Sequence, residues 1–181
     1  MRTFSKWMLV LLGAVTFGVA LATPAVAATK AGDKELSAQI SLSTISTDDF
    51  DVTLTSVWGA FGYFVTDALQ VGGSLTTMTV STEGTDAGQT FIEGFVKYHF
   101  NTKEKAVPYV GAMLGTVTLY SGDESGSGVT FGAMAGVKYF VSEDLSINGE
   151  YSIRHYTVTI ADTDIDSTTS TAMLGLSYYF R

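Results

Sequence analysis

The closing segment TAMLGLSYYFR, residues 171–181, alternates between two kinds of residue. Counting back from Phe180, every second residue is apolar or aromatic, as far as Ala172. A period of two is typical of a β-strand whose two faces meet different surroundings. Because chain ends fray unless they are anchored, an apolar stripe at this end indicates that the last strand contacts an apolar environment along one face.

The same period of two extends over most of the chain. It predicts eight strands, at residues 34–46, 50–64, 67–80, 88–101, 106–121, 126–141, 144–160 and 168–181. Each strand is close to or above the roughly 9–11 residues that a tilted strand needs to cross a bilayer. Before His155 the apolar residues of this strand are at odd-numbered positions, and after it they are at even-numbered positions, namely Tyr156, Val158 and Ile160. A β-bulge at that point would explain the change.

Strands of this kind fit either a soluble barrel or sandwich with the apolar face inside, or a membrane barrel with the apolar face outside. Only 15% of residues are charged and the mean hydropathy is positive, which is unusual for a water-exposed surface. Aromatic residues group at the predicted strand ends, as in the interfacial belts of membrane barrels. One group is Tyr63, Phe64, Tyr98, Phe100, Tyr139, Phe140, Tyr178 and Phe180, and the other is Phe50, Phe91, Tyr120 and Tyr156. We therefore predict an all-β fold, an eight-stranded antiparallel up-and-down transmembrane β-barrel.

The beginning of the chain has the layout of an export signal. Basic residues precede an apolar run from Trp7 to about Ala22, and the small-x-small pattern Ala25-Val26-Ala27 follows. The alternative, an uncleaved anchor, needs roughly 20 apolar residues, more than this run offers. We expect a cleaved signal peptide over residues 1–27 and a barrel domain over 28–181. The sequence has no cysteine, so it has no disulfide framework.

Acidic residues collect at one end of the predicted barrel. Ten lie at or beside its connections, with no lysine or arginine among them: Asp48, Asp49, Asp51, Glu83, Asp86, Asp123, Glu124, Asp162, Asp164 and Asp166. With the N-terminus in the periplasm, this acidic rim faces out of the cell. It should attract cations or a basic surface partner and repel polyanions, which excludes nucleic acid as a partner. The segment DTDID, residues 162–166, lacks the glycine and distal glutamate of a calcium loop, so no dedicated metal site is expected.

Five other charges lie on the polar phase of the predicted strands: Glu93, Lys97, Lys138, Glu150 and Arg154. A lysine or arginine facing lipid at the bilayer midplane would cost roughly 2–4 kcal/mol. We therefore expect these side chains to turn inward and pair. The sequence predicts a buried charge network that plugs the barrel, with Gly132 and Gly136 leaving room for long side chains.

Evidence for catalysis is weak. The segment His155-Tyr156-Thr157 is similar to the His-x-Ser spacing of a lipid A deacylase, but threonine stands in place of serine. No Gly-x-Ser-x-Gly segment and no metal-ligand cluster is found. We expect no enzyme activity, no catalytic residues, no cofactor and no bound metal.

Three segments resemble the hairpins of the small bacterial outer-membrane β-barrel superfamily, which includes OmpA N-terminal domains and OmpX-like proteins. They are GYFVTDALQVGGSL (62–75), VPYVGAMLG (107–115) and GVKYFVSEDLSINGEYSIR (136–154). The last strand, with Leu176, Tyr178 and Phe180, resembles the closing strand that the barrel-assembly machinery recognises, although Arg181 displaces the usual terminal Phe by one residue. The resemblance implies a bacterial outer-membrane location and contacts with outer-membrane lipids, lipopolysaccharide and the assembly machinery.

The resemblance is specific for fold and weak for activity. We expect a small integral outer-membrane protein with a structural or surface-interaction role, a side-chain-filled interior and acidic extracellular loops. The alternatives are a narrow channel for small solutes and a lipid-modifying enzyme. Side chains can largely fill an eight-stranded barrel, which disfavours an open pore.

Overall fold

The computed structural model describes residues 29–181 except 47–50, 83–84, 122–123 and 161–162. The strands are β1 Lys34–Ser46, β2 Asp51–Phe64, β3 Leu69–Thr82, β4 Thr85–His99, β5 Ala106–Ser121, β6 Glu124–Phe140, β7 Leu145–Ile160 and β8 Thr163–Phe180. Each pairs antiparallel with the next, and β8 pairs with β1 to close the barrel. The predicted eight-stranded barrel is confirmed. Within the described part of the chain, no helix has the length and apolar content needed to cross a membrane.

The two ends of the barrel differ in what they hold. β1 begins and β8 ends at one end, together with the connections at residues 65–68, 100–105 and 141–144. We call this the terminal end and the opposite one the loop end. β4 and β8 reach further toward the loop end than predicted, so Asp86, Asp164 and Asp166 lie on strands rather than in connections.

Side chains alternate between the lumen and the outer face along every strand. On β1, Glu35, Ser37 and Gln39 are buried, whereas Leu36 and Ile40 are half exposed on the outer face. The other outer-face positions carry large exposed apolar residues in the same way, including Val57, Phe61, Leu75, Ile92, Val96, Val110, Leu114, Val129, Phe131, Ile147, Ile153, Leu174 and Leu176. Water-soluble monomers rarely expose apolar surface on this scale, so the outer face is suited to lipid.

The predicted β-bulge at His155 is wrong. β7 pairs with β6 from Phe140↔Ser146 to Ser127↔Thr159 without a break in register, and its pairing with β8 is also unbroken. Tyr156 and Val158 lie in the lumen, and Thr157 is on the outer face. The apolar residues change from odd to even positions because the lumen becomes apolar toward the loop end, while the outer face becomes polar.

This inversion recurs around the barrel. Toward the loop end the lumen holds Met78, Phe91 and Val117, all buried. The outer face beside them carries hydroxyl residues, namely Thr77, Thr79, Thr90, Thr116, Thr118, Ser125 and Ser127. The strands therefore extend beyond the apolar band of the outer face into a collar of hydroxyl side chains.

The two predicted aromatic belts need correction. At the terminal end an outer ring of exposed aromatics is present, formed by Tyr63, Tyr98, Phe100, Tyr178 and Phe180. Phe64 and Phe140, assigned to the same belt, are instead buried in the lumen. At the loop end Phe91 and Tyr156 also lie in the lumen, with ring centroids 5.6 Å apart. Tyr139 and Tyr120 are half buried, and Phe50 lies outside the described residues.

The β1–β8 seam is shorter than the other strand contacts. It is paired from Lys34↔Phe180 to Ile40↔Leu174, and beyond that point the described residues of these two strands are not bridged to each other. Residues Ser41–Ser46 of β1 pair with β2 alone. Among the described residues, Thr163–Met173 of β8 pair with β7 alone. The seam is therefore paired at the terminal end, and it is unpaired between Ser41–Ser46 of β1 and Thr168–Met173 of β8.

Candidate functional site

Three buried ion pairs cross the lumen: Lys97–Glu150, Arg154–Glu93 and Lys138–Glu35. The Lys97 Nζ to Glu150 Oε2 distance is 2.9 Å and the Arg154 Nε to Glu93 Oε2 distance is 3.1 Å. Two of the pairs join β4 to β7 and the third joins β6 to β1, so each links strands that are not adjacent in the sheet. All six side chains are at most 4% exposed. The pairs tie opposite walls of the barrel together.

The structure places all five predicted interior charges in the lumen and pairs them across it. Glu93 and Lys97 share a face of β4, but each pairs with a residue of β7. The reason is geometric, since residues four apart on a strand are separated by roughly 13 Å of backbone at about 3.3 Å per residue. The opposite wall offers closer partners than the same strand does.

Glu35 is a lumen residue that sequence reasoning missed, since it is not among the five predicted interior charges. It is 3% exposed and accepts hydrogen bonds from Lys138, from Gln70 Nε2 at 2.8 Å and from Ser177 Oγ at 2.7 Å. Ser37 donates to the same carboxylate. The alternation along β1 could have identified Glu35 as a lumen residue, because Glu35, Ser37 and Gln39 are alternate residues on the polar face of this strand.

Aromatic rings surround the buried cations. Lys97 Nζ lies 4.8 Å from the Trp58 ring centroid and 4.9 Å from the centroids of Phe95 and Tyr109. Lys138 Nζ lies 5.5 Å from the Tyr109 centroid. Ring faces attract cations, and the attraction is stronger where water is excluded. The rings therefore replace part of the hydration that burial removes from the two ammonium groups.

Gly136 is placed against the ring of Tyr109. A Cβ at Gly136 would overlap this ring, and Tyr109 donates a hydrogen bond to Glu150 Oε2 at 2.8 Å. Gly132 is paired with Arg154, and a Cβ there would approach Arg154 Cγ to 3.3 Å and would meet the carbonyl of Ile153 more closely. Both predicted glycines thus lie where a long lumen side chain needs the space.

Apolar side chains enclose the charged layer on both sides. At the terminal end Phe64, Val107, Phe140 and Tyr179 form one buried cluster. Toward the loop end a larger buried cluster holds Trp58, Phe91, Val158 and four methionines, Met78, Met113, Met134 and Met173. The charges therefore lie between two buried apolar clusters.

Only part of the predicted acidic rim lies among the described side chains. Asp164 and Asp166 are exposed on the outer face of β8 and accept hydrogen bonds from Thr159 Oγ1 at 2.7 Å and Thr157 Oγ1 at 2.6 Å. Five predicted rim residues lie outside the described residues, namely Asp48, Asp49, Glu83, Asp123 and Asp162, and the side chains of Asp51, Asp86 and Glu124 do so as well. The described residues contain no group of three or more His, Cys, Asp or Glu that could hold a metal ion.

The residues considered for catalysis are not paired with each other. His155 Nδ1 lies 3.1 Å from Thr168 Oγ1, and the Thr157 hydroxyl is bound to Asp166. All of these side chains lie on the outer face of the β7–β8 hairpin. The hydroxyl next to the imidazole is therefore that of Thr168 and not that of Thr157.

The residues of the predicted assembly signal form the outer stripe of β8. Leu176, Tyr178 and Phe180 are about half exposed at the closed part of the β1–β8 seam. Arg181 follows them and lies within 4 Å of three carboxylates, those of Asp33, Glu143 and Asp144. The predicted signal peptide lies outside the described residues.

Solved structures with a similar fold are outer-membrane or transmembrane barrels. Neisserial surface protein A superposes with a TM-score of 0.69 at 18% identity, covering 82% of this chain and 99% of that one. OprG of Pseudomonas aeruginosa gives 0.57 at 16% identity, covering 86% and 99%. A designed transmembrane β-barrel gives 0.50 at 19% identity, covering 84% and 99%. At these identities the likeness concerns the fold.

No curated protein matches the sequence. The family model described as outer membrane protein beta-barrel domain matches residues 13–180, nearly the whole chain. This match agrees with the apolar outer face, the aromatic ring at the terminal end and the closed eight-stranded sheet. The chain therefore belongs to the outer membrane protein β-barrel domain family, whose members are barrels of the bacterial outer membrane.

Proposed function

We propose that this protein is an integral outer-membrane barrel with a structural and surface-interaction role, and that its lumen is closed to the free passage of solutes. The observation that carries the proposal is the set of three ion pairs that cross the lumen between two buried apolar clusters. A solute crossing the barrel would have to separate paired charges in a low-dielectric interior, and leaving one buried charge unpaired is costly.

Conductance across planar lipid bilayers tests this proposal against the alternative of a narrow channel. The purified full-length barrel should give no steady conductance above the lipid background. A variant that removes both members of a cross-lumen pair and its bulk, Lys97→Ala with Glu150→Ala, serves as the comparison. We expect that variant to conduct weakly if it folds. A steady ohmic conductance of the wild-type protein would overturn the closed-lumen proposal whatever the variant does.

The surface-interaction part of the proposal is supported by the charge of the loop end. Asp164 and Asp166 are exposed there, and the described lysines and arginines lie in the lumen or at the terminal end. A surface of one sign attracts partners of the other sign through a field that salt screens. Cations or a basic surface partner are the proposed ligands of this end.

The expected contacts of the outer face follow its polarity. The apolar band would contact membrane lipid, and the hydroxyl collar above it would contact the saccharide part of lipopolysaccharide. The outer stripe with Leu176, Tyr178 and Phe180 is the proposed recognition element for the assembly machinery. Substituting Tyr178 and Phe180 with Ala should lower the amount of barrel in the outer membrane of cells. It should have a smaller effect on refolding of the purified chain into detergent.

A non-enzymatic role is part of the same proposal. The Thr157 hydroxyl of the His155-Tyr156-Thr157 segment is bound to Asp166 and not to the imidazole, which favours a non-enzymatic role. Incubation of the purified barrel with lipid A and with phospholipids should leave both unchanged. Turnover that His155→Ala abolishes would overturn this part of the proposal and would identify the outer face of β7 as an active site.

A further inference from the structure

Past Ile40↔Leu174, part of the β8 edge has no neighbouring strand among the described residues. β8 is 18 residues long and β1 is 13, and their pairing stops at Ile40↔Leu174. Over Thr168–Met173, β8 is bonded to β7 on one side, and on the other side it is not paired with Ser41–Ser46 of β1, which would meet it if the register of Ile40↔Leu174 continued. A free edge of this length presents a row of backbone N–H and C=O groups that can pair with another chain.

We propose that this free edge of β8 binds an extended, positively charged polypeptide segment by strand addition. The proposal rests on the surface-interaction role proposed above and names its site and mode. Strand addition supplies affinity through backbone hydrogen bonds and specificity through side chains at every second position. A partner strand would extend the sheet from β8 toward the unpaired half of β1.

Polarity at the edge favours a polypeptide over a lipid chain. From Ser167 to Thr171, β8 carries hydroxyl residues on both faces, and these positions lie beyond the apolar stripe of Leu174 and Leu176. An acyl chain cannot satisfy backbone donors and acceptors, and unsatisfied backbone groups are strongly disfavoured in hydrocarbon. An extended peptide satisfies them along its whole length. An unpartnered buried acceptor, Gln39 Oε1, also lies one lumen-facing step below the opening.

Charge selects a basic peptide and disfavours a second copy of this chain. Asp164 and Asp166 lie on β8 just beyond the unpaired stretch Thr168–Met173, whereas lysine and arginine are absent from the sequence between residues 155 and 180. A second copy pairing through the same edge would place aspartates near aspartates, and like charges across paired strands are destabilising. Lysines of a basic strand would instead lie beside these carboxylates.

The test uses the full barrel in lipid nanodiscs and a synthetic peptide of six Lys-Thr repeats, with binding followed by fluorescence anisotropy. The matched control is the same peptide with an N-methyl group on every residue, which keeps every charge and removes the backbone donors along both edges. We expect binding of the control to be at least about tenfold weaker. Equal binding of the two peptides would show attraction by charge alone and would overturn strand addition.

Amide hydrogen exchange locates the site. In the free protein, amides of Ser167–Thr171 should exchange faster than those of Leu174–Phe180, and the unmethylated peptide should slow them. Asp166→Asn should weaken peptide binding, whereas Glu104→Gln, an equal charge change on an exposed residue of the terminal end, should not.

The proposal fails if the Ser167–Thr171 amides are already protected in dilute free protein. It also fails if protection without peptide rises with protein concentration, which would mean that a second copy fills the edge, or if lipid composition alone changes it. None of these results depends on conductance, so the closed lumen and the strand-addition site can fail separately.

Discussion

The two halves of β7 have opposite polarity. Near the terminal end its lumen face carries polar residues, including Asn148, Glu150 and Arg154, and its outer face carries Ile147 and Ile153. Beyond His155 the lumen face is apolar, with Tyr156 and Val158, and the outer face carries Thr157 and Thr159. The register is the same in both halves. Alternation along a strand therefore reports that its faces differ, and the surroundings at each height decide which face is the polar one.

The two halves of the lumen also differ in how they are held together. The half nearer the terminal end holds three specific ion pairs beside a small apolar cluster. Toward the loop end stability depends on packing of methionine and aromatic side chains, in which many neighbours share the contact. Breaking a buried ion pair leaves an uncompensated charge, whereas an apolar layer can adjust its packing. Substitutions in the charged half should have the larger effects.

The largest effect is expected for Glu150→Gln. It removes the carboxylate that Lys97 Nζ contacts at 2.9 Å and leaves a buried ammonium without its counter-charge. We expect the free energy of unfolding to fall by about 3–5 kcal/mol if the site is dry. Urea unfolding of the barrel in lipid vesicles measures this change.

Glu104→Gln is the control for Glu150→Gln, because Glu104 is exposed at the terminal end. Its effect should stay within about 0.5 kcal/mol. A Glu150→Gln barrel as stable as this control would mean that water reaches the charge network and that the lumen is not closed.

Two substitutions in β7, one on its lumen face and one on its outer face, test whether the polarity of the two faces is reversed beyond His155. Val158→Thr puts a hydroxyl at a fully buried apolar position, and about 2–3 kcal/mol of stability should be lost if the hydroxyl finds no partner. Thr157→Val, the reverse change on the outer face, loses a hydrogen bond to an exposed aspartate and should have an effect within about 0.5 kcal/mol. The same urea unfolding experiment compares the two. Equal losses at the two positions would contradict the assignment of faces.

The sequence predicted the strands well because each alternates for longer than a bilayer requires. It also predicted that Lys97, Lys138 and Arg154 point inward, since a cation facing lipid is costly. It could not predict which carboxylate each one meets. Those partners depend on the stagger of the strands around the barrel, which brings β4 opposite β7 and β6 opposite β1. The stagger of the strands cannot be predicted from any local pattern in the sequence.

The same limit explains the two other errors. Glu35 lies close to the beginning of β1, and the predicted set of interior charges left it out although it alternates in step with the other lumen residues of that strand. The supposed bulge after His155 came from assuming that the apolar face points outward along the whole strand. That assumption holds only where lipid surrounds the barrel.

A smaller effect is expected for Gly136→Ala. The added methyl group would overlap both the Gly149 carbonyl and the Tyr109 ring, which itself donates a hydrogen bond to Glu150. We expect a loss of about 1–2 kcal/mol, in the lower part of the range for overpacking. Gly94→Ala is the matched control, because a Cβ there meets its nearest neighbours at 3.9 Å on the outer face. If the two variants unfold at the same urea concentration, Tyr109 can move without disturbing the charge network.

The smallest effect is expected for Arg181→Ala, at the closed base of the β1–β8 seam. Arg181 Nε lies 3.9 Å from Asp33 Oδ2 and 3.7 Å from Asp144 Oδ1, and its guanidinium donates to the Glu143 carbonyl at 2.6 Å. One quarter of its side chain is exposed, so water and salt screen these contacts and the loss should stay below about 1 kcal/mol. At about 1 M salt the Debye length is near 3 Å, and most of the difference between Arg181→Ala and Arg181→Lys should disappear. Urea unfolding at low and high salt measures it. A loss as large as that of Glu150→Gln, unchanged by salt, would mean that closure of the barrel depends on this residue as strongly as on the pairs in its lumen.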